Sequence, residues 1–399
     1  MTLRTPRWNY FVSPDKVPVQ RDHSKWATPI PLNRHQAGKM SDITGKASFN
    51  YGDYFLAARD FLQQNKFDML TDVLSRHLNQ NIKCENIEEI GICIEKHAEF
   101  YHPARIVVAL PNATALLVLN IAVSENGKNI IRREYELLEK LHTDFPFSFV
   151  PKAYEQGQTT TKDNLECYMF LGEWLEGFNE FHISQDPRDN KHKIVVWNIK
   201  NGPFFLTTDQ TRKLYKQAAM ILTGYYNVET FEKIFPWHHA AGDFVVKLVD
   251  DRLDVKLVSV RNYVSLFKEN GVDDQSRDIQ SLLEAMLIFF LNLTIRMRLD
   301  RLDGIGDIVW AEDIAVKGTL QGFFEGLALK PPLEGLPDIL VNCFKAYLLS
   351  SNLKDLTDLC FAIAESYNPK APEVPVIKKN LGKHAKTLYK LIRDEAHDQ

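Results

Sequence analysis

F-P-W-H-H-A-A-G-D-F-V-V-K-L-V-D-D-R-L-D-V-K-L-V-S-V-R-N-Y runs from Phe235 to Tyr263. Its first part is polar and rich in histidine. Two Val/Leu-rich runs follow, Phe244 to Val249 and Leu253 to Val260, separated by Asp250, Asp251 and Arg252. Branched aliphatic residues pack well on a pleated surface, and aspartates tolerate tight reversals, so the pattern predicts a loop followed by a β-hairpin.

On either side of this stretch the period changes to that of helices. Thr208 to Tyr226 places Leu214, Ala218, Ile221 and Leu222 on one face, and Asp278 to Leu299 is strongly apolar. Pro337 to Leu349 and Leu353 to Tyr367 are amphipathic in the same sense. The charged run R-M-R-L-D-R-L-D-G-I-G-D (Arg296 to Asp307) reads as a helix end capped by Gly304. The densest apolar run, Ala285 to Leu293, follows Glu284 and is far shorter than the ~20 residues that cross a bilayer, so no transmembrane segment is expected.

Further upstream the pattern is that of strands. Ile90 to His97, Ala104 to Ala109 and Ala115 to Val123 read as three antiparallel strands. After a turn at Glu125 to Lys128, the helical stripe Ile130, Ile131, Leu137, Leu138 and Leu141 interrupts them. Phe149 to Pro151 and Cys167 to Leu171 are expected to close the sheet, before an acidic, aromatic linker from Glu173 to Ser184. Tyr54 to Gln80 is helical with a break near Asn65, and His77 in its stripe reads as a packed core residue. The predicted class is therefore α+β. Its parts are an N-terminal arm and helices (1–83), a β-rich lobe (84–172), a mostly helical lobe (173–368) and a proline linker with a basic helical tail (369–399).

The two ends carry the positive charge. Residues 1–40 hold seven Lys or Arg against two Asp, among Pro6, Pro14, Pro18, Pro29 and Pro31. This arm either grips a phosphate-bearing partner or covers apolar surface. The tail carries Lys378, Lys379, Lys383, Lys386, Lys390 and Arg393, which form either a solvated face or a docking face for an acidic protein partner or a membrane surface. With a net charge of -4, the whole chain has no general drive toward nucleic acid. Five scattered cysteines without a C-x-x-C, and a charged N-terminus, point to a reducing cytoplasm.

The order of three strands, one helix, two strands and then helices resembles the protein-kinase-like superfamily, in particular its aminoglycoside and choline phosphotransferase branch, over roughly Cys84 to Tyr367. That family's H-G-D-L-H-x-x-N loop, hairpin and I-D-F strand align with P-W-H-H-A-A-G-D-F-V-V and L-V-S-V-R. The alignment implies His238 at the catalytic aspartate, Asp243 at the metal-holding asparagine and Ser259 at the second metal ligand. In the β lobe, L-L-V-L-N-I-A puts Asn120 at the phosphate-pairing lysine, and R-R-E-Y-E-L-L puts Glu134 at its helical partner. The glycine-rich loop is replaced by E-K-H-A-E-F-Y-H-P-A-R, which has no glycine.

Phosphoryl transfer rests on positioning and on cationic neutralisation of the phosphates, so these substitutions imply a two-lobed kinase-like fold with a degenerate site, a pseudokinase that binds or scaffolds. Two other readings stay open. In one, His238 acts as a base and Asp243 holds a metal in an atypical phosphotransferase using ATP and Mg²⁺. In the other, His102, Arg105, His238, His239 and Asp243 form a pocket for an anionic small molecule. The first reading needs no cofactor. A zinc site at His238 and His239 lacks a third ligand at any suitable spacing.

Overall fold

The computed structural model describes residues 5–15, 17–31, 49–97, 100–198, 201–237, 242–266, 278–332 and 339–397. The chain divides into two units, Met1–Asp144 with Pro151–Glu176, and Phe145–Val150 with Gly177–Gln399. The architecture is α+β.

The first unit opens with β1 (Arg7–Val12), which the proline-rich composition had concealed. Helix α1 (Tyr51–Leu62) starts at a capping box in which Asn50 and Asp53 satisfy each other's backbone N–H groups. Asn65, Lys66 and Phe67 all take positive φ, which ends that helix turn and starts α2 (Asp68–Leu78), so the break expected near Asn65 is present. Then come β2 (Glu89–Ile94), β3 (His102–Leu110), β4 (Ala113–Ala122), α3 (Glu125–Asp144), β5 (Ala153–Thr160) and β6 (Glu166–Glu173).

The six strands form one sheet in the order β1-β2-β3-β4-β6-β5, antiparallel except that β1 lies parallel to β2. The N-terminal arm is thus partly a sheet strand, and Asn9 Nδ2 donates to Glu89 at 2.7 Å. One face of the sheet carries Ile90, Ile92, Ala104, Ile106, Val108, Leu117, Leu119 and Met169, all buried against α1 and α2. Helix α3 covers part of the other face, where Tyr135 meets Phe170 edge-on at 5.9 Å and Arg132 lies 4.4 Å over Tyr168. Helix α3 begins earlier than expected. Glu125 to Lys128 is its first turn, with Lys128 buried and bonded to Glu125 and Glu166. The strand expected at Phe149 to Pro151 instead begins at Ala153; Phe149 lies in the second unit, its carbonyl accepting from the Leu257 N–H.

The second unit contains the small sheet β7 (Phe181–Gln185), β8 (His192–Val196) and β9 (Phe204–Phe205), which occupies part of the segment read as a linker. Helix α4 (Thr208–Gly224) follows, capped by Thr207 and Gln210. Next are β10 (Glu232–Ile234), the hairpin β11 (Phe244–Val249) and β12 (Arg252–Leu257), and β13 (Tyr263–Ser265), which pairs with β10. Asp250 and Asp251 both have positive φ, the geometry that matches the twist of two-residue hairpins. The helix pair is completed by α5 (Ile279–Arg296) and, after β14 (Leu299–Arg301) and β15 (Ile308–Trp310), α6 (Asp313–Ala328). Gly304 does not cap α5. It lies in the turn between β14 and β15 with φ +75, its Cα against the His182 ring.

Helix α6 was not anticipated, and it packs on α4 through Gly318, Gly322 and Gly326. A Cβ on Gly322 would lie 1.9 Å from the Lys216 carbonyl oxygen, so the missing side chains set how closely the two helices approach. Helices α7 (Leu340–Ser350), α8 (Leu353–Glu365) and α9 (Val374–His397) complete the unit. Helix α9 is no detached tail: Ile377, Leu381, His384, Ala385 and Leu388 are fully buried. Among the described residues one helix, α5, is long and apolar enough to cross a membrane, and 61% of it is buried within the fold.

Candidate functional site

The residues singled out in the sequence fall into both units. His102, Arg105, Asn120 and Glu134 belong to the first, and Asp243 and Ser259 to the second. His238 and His239 lie outside the described residues.

In the first unit, strand parity separates residues that the sequence had grouped. On β3 the even positions Ala104, Ile106 and Val108 face the core, and His102 shares their side. Successive side chains alternate faces, so Arg105 lies on the opposite side. His102 and Arg105 therefore do not line one pocket. Asn120 pairs with Pro103 and lies on the Arg105 face, the face that α3 covers further along.

His102 is part of a buried polar chain. Its Nδ1 is 3.2 Å from Nδ1 of His97, whose Nε2 is 2.9 Å from the Tyr51 hydroxyl, and the Tyr54 hydroxyl donates to the His102 carbonyl. Burial, and secondarily the neighbouring His97, lower the pKa of His102 to about 4. At neutral pH the imidazole is uncharged, and it joins the β2–β3 connection to α1. The far end of that connection is also tied down, since the Tyr101 hydroxyl donates to Glu134 on α3 at 3.1 Å. Glu134 thus has a tyrosine partner where the resemblance implies a cationic one. Arg105 donates from Nε to Glu95 at 2.7 Å, and its guanidinium lies 5.7 Å from the Trp174 ring centre.

The second unit shows what the hairpin does. Asp243 precedes β11 and Arg261 follows β12, and the antiparallel pairing returns the chain so that they meet. The Asp243 main-chain carbonyl also anchors this end, accepting from the Val258 N–H at 2.7 Å. Arg261 grips the carboxylate with both nitrogens, Nη1 to Oδ2 at 2.8 Å and Nη2 to Oδ1 at 2.6 Å. Asp243 is 2% exposed, so this is a buried, bidentate, charge-assisted pair. Ser259, at the strand end between them, is half-buried. Gly242, with φ +74, lies against the Glu180 carboxylate.

No protein-family model matches this chain, and no curated protein matches it by sequence.

A divalent cation at Asp243 would need the carboxylate oxygens that Arg261 already engages, and among the described residues no three His, Cys, Asp or Glu side chains are grouped to hold a metal. Arg261 is the residue that sequence reasoning missed. It stands in S-V-R, two residues after Ser259, but an arginine in the segment after a strand has no period or motif to mark its partner.

Proposed function

We propose that this chain is a degenerate, two-lobed kinase-like protein that acts by binding or scaffolding. The carrying observation is the Asp243–Arg261 pair. At the position where the resemblance implies a metal held by the protein, the positive charge comes from a guanidinium on the chain itself. The first unit supports the same reading. Its helix α3 follows the third of five antiparallel strands, the order on which the resemblance rests, while Asn120 supplies no cation and the β2–β3 connection is tied through His97 to Tyr51 of α1 and through Tyr101 to Glu134 of α3.

Calorimetric titration of the full chain with ATP and Mg²⁺ tests this. The expected outcome is no Mg²⁺-dependent heat of binding and no loss of ATP on long incubation. Tight Mg²⁺-dependent binding with ATP turnover, abolished in Asp243→Asn, would establish the atypical phosphotransferase and end the proposal.

A further inference from the structure

Helix α9 buries one face and leaves the other to solvent. Ile377, Leu381, His384, Ala385 and Leu388 insert into the second unit, while Lys379, Lys383, Lys386 and Lys390 are exposed. At 100° per residue these four lysines fall within an arc of about 60°, and at 1.5 Å per residue they recur about every 5–6 Å along the axis. Among the described residues none of the four has an ion-pair partner on the chain, in contrast to Lys213, Lys216 and Lys354, each of which meets an acid within 3.4 Å. A row of like charges on one helix face is mutually destabilising.

We infer that this lysine row is a docking surface for an acidic helix of another protein, one with Glu or Asp recurring every three to four residues. The helix that carries the row is fixed by its buried face and cannot rotate. Its charges are therefore presented as a rigid line, and the complement of a line with spacings of four, three and four residues is a second helix with acids at the same spacing.

Two other polyanions fit less well. A helix that lies on a membrane inserts an apolar face, but the apolar face of α9 is spent on the core, and none of the exposed large hydrophobic residues lies on α9. A nucleic acid extends far beyond one helix face and meets a chain whose net charge is -4, whereas a peptide helix lies within a screening length, about 10 Å, of the lysines alone.

The probe is a fluorescein-labelled synthetic helix, Ala-rich, with Glu at positions i, i+4, i+7 and i+11, titrated against the full chain by anisotropy. The control has the same composition with the glutamates shuffled around the helix. An exposed Lys–Glu pair contributes roughly a twofold change in affinity, so the quadruple variant Lys379→Glu, Lys383→Glu, Lys386→Glu and Lys390→Glu should weaken binding by an order of magnitude or more. Binding to the patterned peptide should also weaken as NaCl rises from 50 to 300 mM. All four positions are exposed, so the variant is expected to keep the wild-type melting temperature.

Equal binding of patterned and shuffled peptides, or binding by the quadruple variant within twofold of wild type, would overturn the assignment. So would capture by phosphatidylserine vesicles or a duplex DNA in the absence of peptide binding. None of these readouts involves ATP, so they stand apart from the test of the kinase-like reading.

Discussion

Replacing Arg261 with alanine would remove two charge-assisted hydrogen bonds from a buried carboxylate. Removing one partner of a buried ion pair costs about 3–5 kcal/mol, because the remaining charge has lost water without compensation. Here the two partners differ: the Asp243 side chain is 3% exposed and that of Arg261 33%. The guanidinium keeps part of its hydration, and Asp243 keeps its other contacts, which places Arg261→Ala near the lower end, about 3 kcal/mol. Against a typical stability of about 5–15 kcal/mol, that loss is large enough to read directly from urea unfolding. Tryptophan fluorescence suits the measurement, since Trp237 packs edge-on against Phe244 on the strand next to Asp243. Asp243→Ala with Arg261→Ala should cost less than the sum of the two single changes, because the second truncation removes a group already orphaned by the first. Additive losses, or an Arg261→Ala loss under about 1 kcal/mol, would refute the claim that the pair anchors the hairpin ends.

Two further outcomes follow from packing and burial. Gly322→Ala should destabilise the chain by about 1–3 kcal/mol, since its Cβ would meet the Lys216 backbone, which cannot swing aside; Gly382→Ala on α9, with open space around it, should stabilise by about 0.5–1 kcal/mol, and urea midpoints in the wrong order would contradict the packing argument. His102 has a folded pKa of about 4 against about 6.5 when unfolded, so between those values the unfolded chain carries a proton that the folded chain does not. Stability is therefore full above pH 6.5 and falls as the pH drops toward 4, by about 3 kcal/mol for complete titration. His102→Asn should flatten that slope in urea midpoints taken from pH 7 to 4.5, although buried His384, lowered to about 3, still contributes in the same direction; an unchanged slope would discount His102.

Much of the fold could be read locally. The hairpin at Phe244 to Leu257, the helix break at Asn65 and helices α4, α5, α7 and α8 all carry their period or their turn residues within a few positions. Other elements could not be read in that way. Strand β1 is held by a partner more than eighty residues away, and its prolines signalled an irregular arm. Helix α6 has glycines where a helix former would be expected, because its contact with α4 outweighs local propensity.

The same division runs through the candidate site. Sequence by itself pointed to candidate residues: His102 and Arg105 by their type and place, and Asn120, Glu134, Asp243 and Ser259 through the resemblance to the kinase-like family. Only the tertiary structure decided what they do. Pleating put His102 and Arg105 on opposite faces, a hydroxyl from the β2–β3 connection reached Glu134, and the return of the hairpin brought Arg261 onto Asp243. Periodicity reports which face a residue occupies relative to its neighbours in the chain. The partner that fixes a buried charge comes from another element, and pairing between elements is set by packing and desolvation across the whole unit.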